Sequence, residues 1–152
     1  MFNVVLVHPQ IPPNTGNIGR LCVNTGSTLH IVKPIGFDID DKAVKRAGLD
    51  YWDKLDLVVW ESLDEFIQNV DLNRCFFATT KSQKPYFEAT FKPGDYMVFG
   101  SETMGLPMEL MEKRWQNAVT IPMTKEGRSL NLAVSVGIIL YEGIRQNFKE
   151  FG

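Results

Sequence analysis

The chain has 152 residues, 44% of them apolar and 22% charged, with a net charge of −2. Such a length supports one domain, residues 1–152, with a core of its own, and the composition is that of an ordinary globular protein. Both exclude a protein that coats nucleic acid through overall charge, and no apolar run reaches the roughly twenty residues that cross a bilayer.

Strand-like apolar runs are predicted at 2–7, 29–33, 57–60, 75–79, 96–99 and 118–121. After the first run comes a polar stretch rich in proline and amides, His8 to Arg20, whose end overlaps the next helix. A helix is then predicted over 18–24, with Asn14 or Thr15 able to cap it. A short helix is predicted at 41–47. Another is predicted at 62–69, where Ser62 and Glu65 have capping-box spacing. A fourth, at 106–115, has Pro107 in its first turn, where the missing N–H costs nothing. The last, 131–148, carries Leu132, Val136, Ile139, Leu140 and Ile144 along one side. Strands alternating with helices predict a single-domain, mainly parallel α/β/α sandwich.

Cys22 and Cys75 are the only cysteines, and His8 and His30 the only histidines. This predicts reduced core thiols and no metal site. The N-terminus enters its strand without a basic segment or a small-residue cleavage site, so a cytoplasmic protein is expected.

Three polar blocks stand out. The first is Asn14-Thr15-Gly16-Asn17-Ile18-Gly19-Arg20. The second is Gly100-Ser101-Glu102-Thr103-Met104-Gly105-Leu106-Pro107. The third joins Ile121-Pro122-Met123 to Arg128-Ser129-Leu130-Asn131-Leu132. All follow predicted strands, and in a parallel sheet the strand ends share one edge, where ligands of open α/β sheets bind. Gly100 permits a close approach to the strand end. Glu102 is placed to accept hydrogen bonds or to lie near the N-terminus of the following helix. Ser129 and Asn131 suit capping of the last helix as well as a binding role. Neither a phosphate-binding Gly-Lys-Ser/Thr nor a Gly-x-Gly-x-x-Gly fingerprint is present. A nucleoside-type ligand held by backbone groups is the physical reading of these loops.

Together the blocks resemble the SPOUT superfamily of methyltransferases, in Asn14-x5-Arg20, in Gly100-Ser101-Glu102-x2-Gly105-Leu106-Pro107, and in Ile121-Pro122-Met123 with Ser129-Leu130-Asn131-Leu132. The chain is similar above all to the TrmL (YibK-type) branch of small bacterial enzymes, which methylate the 2′-hydroxyl of the tRNA wobble nucleotide. Ile11-Pro12-Pro13-Asn14-Thr15-Gly16-Asn17-Ile18, Arg20-Leu21-Cys22, Asn24-Thr25-Gly26 and Arg46-Ala47-Gly48-Leu49-Asp50-Tyr51 carry much of that likeness, which extends from the first strand to the last helix. Gly19 departs from it, where a bulkier apolar residue would hold the helix start more firmly.

The resemblance implies a C-terminal deep trefoil knot, a topology that general experience of folds would reject. It also implies S-adenosylmethionine as cofactor, with S-adenosylhomocysteine as product, and no metal. Ala78, Thr79, Gly100, Glu102, Leu106, Ile121, Met123, Ser129 and Leu130 are expected to hold that cofactor. Arg20 is expected to act at the ribose 2′-hydroxyl, helped by Asn14, Glu102, Ser129 and Asn131, with Tyr141 a secondary candidate better suited to core packing. A homodimer is implied, with the last helix and its Ala133, Gly137 and Gly143 as an interface element. Lys42, Lys45, Arg46 and Arg128 are the expected contacts to a tRNA anticodon stem-loop. Two other readings compete: an enzyme of the same superfamily acting on ribosomal RNA, and a non-catalytic nucleotide- or RNA-binding module. The intact polar set speaks against the second of these, and the Pro12-Pro13-Asn14-Thr15-Gly16-Asn17 signature favours the wobble nucleotide over the first.

Overall fold

The computed structural model describes residues 1–39 and 41–152, and the side chains of all of these except 48–50. Strands β1 (Asn3–Val7), β2 (Thr28–Val32), β3 (Leu57–Trp60), β4 (Cys75–Ala78), β5 (Tyr96–Phe99) and β6 (Ala118–Val119) form one sheet in the order β3-β2-β1-β5-β4-β6. Every pairing is parallel. The helices are α1 (Pro12–Asn24), α2 (Lys42–Gly48), α3 (Leu63–Asn69), α4 (Met108–Met111) and α5 (Leu132–Gln146).

The strands read as continuous apolar runs because both faces of the sheet are covered. Val4 and Leu6 of β1 pack in one layer with Ile18 and Cys22 of α1 and with Val136 and Leu140 of α5. Val5 and Val7 point the other way, into a layer with Phe66 of α3 and Leu110 and Met111 of α4. Each such side chain, once fully buried, contributes about 1.5–3 kcal/mol. Gly143 of α5 belongs to this packing, since a Cβ there would lie 2.6 Å from Met97 and 2.9 Å from Phe2. It therefore serves the chain's own sheet.

Two helices depart from the sequence expectation. α1 begins at Pro12, six residues earlier than expected, with Pro at its first positions and Ile11 as an N-cap that offers no side-chain hydrogen bond. Proline has no N–H to satisfy and its φ is already helical, so the proline-rich stretch starts the helix instead of delaying it. Asn14 and Thr15 are accordingly buried inside the first turns and do not cap them. α4 spans only Met108–Met111, with Pro107 as its N-cap. Lys113 adopts the left-handed conformation (φ 66°) and ends it, and Trp115–Asn117 form a separate 3-10 turn.

His30 sits within the sheet at 5% exposure. Its Nε2 donates to Asn3 Oδ1 at 2.9 Å, and its Nδ1 accepts from Trp60 Nε1 at 3.1 Å. Burial lowers its pKa to about 4, partly opposed by Asp56. Burial also pushes both thiols, Cys22 and Cys75, up to about 12.

Candidate active site

All the strands are parallel, so the loops that follow β1, β4, β5 and β6 emerge at one edge of the sheet. The strand order reverses direction between β1 and β5, the place where such sheets bind ligands. A cavity of about 540 Å³ opens there, lined by residues from all four loops and from the first turn of α5. That volume falls in the range of small-molecule and cofactor sites.

One chain of hydrogen bonds ties the loops together. The Glu102 carboxylate, from the loop after β5, accepts from the backbone N–H of Gln10 at 2.8 Å and of Ile11 at 2.9 Å. It thus sits at the N-terminus of α1, not of the following helix, where the helix dipole favours a negative charge. Its Oε2 also accepts from Asn14 Nδ2 at 3.2 Å. Asn14 Oδ1 in turn accepts from Asn131 Nδ2 at 3.0 Å, and Asn131 Oδ1 caps α5 by accepting from Val134 N at 3.2 Å. Prolines 12 and 13 supply no N–H, so a carboxylate from elsewhere in the chain is what α1 uses in place of a local cap. Asn131 is both cap and member of the site. Ser129 is exposed on the cavity wall and makes no cap.

The loop after β5 doubles back on itself. Ser101 Oγ accepts from Met104 N at 3.0 Å, and Gly105 holds φ 69°. A Cβ at Gly100 would lie 2.1 Å from the Gly105 carbonyl carbon and 2.3 Å from Leu106 N. The close approach expected at Gly100 is therefore made first by the chain's own backbone.

All nine residues expected to hold the cofactor line the cavity, as do Asn14 and Asn131. Arg20 does not. It lies on α1 outside the lining, six residues beyond Asn14, about 9 Å along the helix axis, with its guanidinium carbon 5.6 Å from the centroid of the Tyr51 ring. Tyr141 is 46% exposed on α5, away from both core and cavity. Lys42, Lys45 and Arg46 are exposed on α2, and Arg128 is exposed beside the cavity-lining Ser129. Gly19, buried on α1, has a use that its sequence context did not show. A Cβ there would stand 3.0 Å from the Trp52 indole, so glycine makes room for that ring.

The lining also holds residues that sequence reasoning missed, among them Met104, Met108, Trp115, Lys81 and Ser135. Met104 belongs to the loop after β5, whereas Met108 and Trp115 lay inside the predicted 106–115 helix; that helix ends at Met111, and Trp115 reaches the cavity from the separate 3-10 turn. Met104 and Met108 are 81% and 61% exposed, and Leu130 and Met123 about 40%. A wall of exposed apolar side chains between backbone polar groups fits a ligand with a flat apolar part and hydrogen-bonding edges. Among the described residues no three His, Cys, Asp or Glu side chains cluster as a metal site, and no helix is long and apolar enough to cross a membrane.

Comparison with known proteins agrees with this architecture. A tRNA (cytidine(34)-2′-O)-methyltransferase from Saccharophagus degradans is 46% identical over 147 residues, covering 96% of each chain. A structure solved to explain the 2-OH methylation of C/U34 on tRNA superposes with a TM-score of 0.92, at 40% identity, over 99% of this chain and 98% of that one. The SpoU methyltransferase AviRb from Streptomyces viridochromogenes, in complex with the cofactor AdoMet, gives a TM-score of 0.85 at 25% identity, over 96% of this chain but 57% of its own. The model of the SpoU rRNA Methylase family matches residues 1–141, and the chain belongs to that family.

Proposed function

We propose that the protein transfers a methyl group from S-adenosylmethionine to the ribose 2′-hydroxyl of the wobble nucleotide, cytidine or uridine, in tRNA anticodons. The observation that carries this reading is the Glu102–Asn14–Asn131 chain of hydrogen bonds, which joins three sequence blocks around one cavity. Relatives that share nearly the whole chain and are named for this reaction support the choice of substrate. The family description names rRNA, but the match to the wobble-nucleotide relatives covers about 96% of both chains.

Bound in the cavity, S-adenosylmethionine supplies an electrophilic methyl on its sulfonium. Ala78, Thr79, Gly100, Glu102, Leu106, Ile121, Met123, Ser129 and Leu130 would hold it, with backbone groups reading its polar edges and the apolar wall covering its flat part. Asn14, Glu102 and Asn131 form the rigid floor that orients the ribose, with Ser129 on the wall beside them, and this alignment supplies much of the acceleration. A guanidinium does not accept a proton in proteins. Arg20 therefore acts as a cation, stabilising the developing oxyanion while the hydroxyl proton passes to an oxygen of a substrate phosphate. Because Arg20 stands outside the cavity lining, the acceptor ribose is placed between the cavity and Arg20, which lies farther along α1 than Asn14.

The same reading includes a homodimer. Val134 and Tyr141, 49% and 46% exposed and two turns apart on α5, with Ile138 between them, offer an apolar face for a second copy. It also includes the knot, with the chain passing from the outermost strand β6 back through an earlier loop to α5, and a cytoplasmic site of action. Lys42, Lys45, Arg46 and Arg128 form the RNA-facing patch. Reversing the charge of Lys45 and Arg46 lowers tRNA affinity and flattens its salt dependence.

The test is methyl transfer from labelled S-adenosylmethionine to total tRNA, followed by mapping of the modified ribose. Product at nucleotide 34 is expected. Product elsewhere in tRNA, or only in rRNA, overturns the reading.

A further inference from the structure

The segment Arg46 to Tyr51 is prominent in the sequence, but none of its residues with described side chains (Arg46, Ala47 and Tyr51) lines the cavity. Its last residue faces Arg20. The Arg20 Nε is buried and has no hydrogen-bond partner, and among the described residues no carboxylate or carbonyl holds the guanidinium. What it does meet is the face of the Tyr51 ring, 5.6 Å from guanidinium carbon to centroid. A buried N–H without a partner is costly, and the ring face beside this half-buried guanidinium offsets part of that cost. Unlike a carboxylate, it neither neutralises the charge nor occupies the terminal N–H donors.

Tyr51 has no other evident task. Its ring is 39% exposed and belongs to no core cluster. Its placement is nonetheless fixed, because the adjoining Trp52 is the ring that fits against Gly19 at 3.0 Å. Two neighbouring residues on α1 thus receive two neighbouring residues of the 3-10 turn Leu49–Lys54. Gly19 receives Trp52 and Arg20 receives Tyr51. The glycine before the arginine and the aromatic pair thirty-two residues later are parts of one fitting.

We infer that Tyr51 is a positioning residue for Arg20, presenting the guanidinium in one orientation while leaving its charge and terminal donors for an anionic or oxyanionic group of the RNA. This rests on the proposed reaction, and the experiment separates the two. Tyr51→Phe keeps the ring face and Tyr51→Leu removes it. Both are assayed for methyl transfer to tRNA, for S-adenosylmethionine binding by calorimetry, and for the Arg20 side-chain Nε–Hε resonance by NMR. Tyr51→Phe is expected to retain kcat and the ring-shifted resonance. Tyr51→Leu is expected to lose kcat on the order of tenfold, bind cofactor as before, and show the resonance moved out of the ring's shielding region. If the wild type methylates tRNA and Tyr51→Leu stays within about twofold of it, the inference is overturned. If the wild type gives no product on tRNA, the proposed reaction fails, and the resonance alone decides the inference: an unchanged Nε–Hε shift in Tyr51→Leu refutes it. Should Tyr51→Leu not fold, Gly19→Ala displaces the Trp52 ring instead, and an unmoved Arg20 resonance there is the refuting result.

Discussion

Two polar regions share helix α1, one lining the cavity and one farther along the helix, and they are built on opposite plans. In the Glu102–Asn14–Asn131 chain each side chain is held by the next, and both ends terminate on backbone N–H groups at the start of a helix. At Arg20 the side chain has no hydrogen-bond partner at Nε and rests on an aromatic face. A group that is fully bonded within the chain gives shape to a site. One that is placed but unbonded retains its capacity for a ligand. The difference therefore assigns support to the first region and reactivity to the second.

The sharpest test of this contrast is Arg20→Ala. It is expected to lower kcat by about 10²–10³, the scale of losing one oxyanion stabiliser, with little change in thermal stability or cofactor binding by calorimetry. A large fall in melting temperature would place Arg20 with the structural region instead. Glu102→Ala should do both kinds of damage. Removing the carboxylate leaves Gln10 and Ile11 to find water, for an expected loss of about 1–2 kcal/mol in denaturant unfolding, together with reduced turnover. Asn131→Ala should cost about 1 kcal/mol as a lost N-cap and weaken activity through Asn14; an unaltered unfolding midpoint would show that the cap is dispensable.

The smallest effect lies in a third region, the His30 network, which is bonded at both ring nitrogens and lines no part of the cavity. Its folded pKa, about 4, is below the ordinary 6.5 because of burial. The unfolded chain thus binds the proton more readily, and stability falls as pH drops from 6.5 toward 4. His30→Gln is expected to flatten that slope by up to one proton while leaving methyl transfer at neutral pH unchanged. An identical slope in both proteins would remove His30 from the pH response.

Much of this arrangement could be read from residue order. The strands fell within one or two residues of their expected places because β-branched and aromatic runs between polar loops leave little choice in a sheet covered on both faces. The cavity wall was legible because parallel strands send their loops to one edge. What escaped was tertiary. Pro12 and Pro13 resemble loop residues until Glu102, some ninety positions later, replaces the missing cap. The early end of α4 at Lys113 depends on a left-handed residue that its sequence does not announce. The meeting of Gly19 with Trp52 is equally invisible along the chain, which is why glycine there read as a weakness.

The two buried thiols have a practical consequence. With their pKa values raised to about 12 and both side chains fully enclosed, Cys22 and Cys75 present almost no thiolate to an alkylating reagent at neutral pH. Met104, 81% exposed on the cavity wall, is then a natural place for a single fluorophore. A Met104→Cys protein can be labelled at one position without first removing any native cysteine, and its emission would report binding at the cavity in real time.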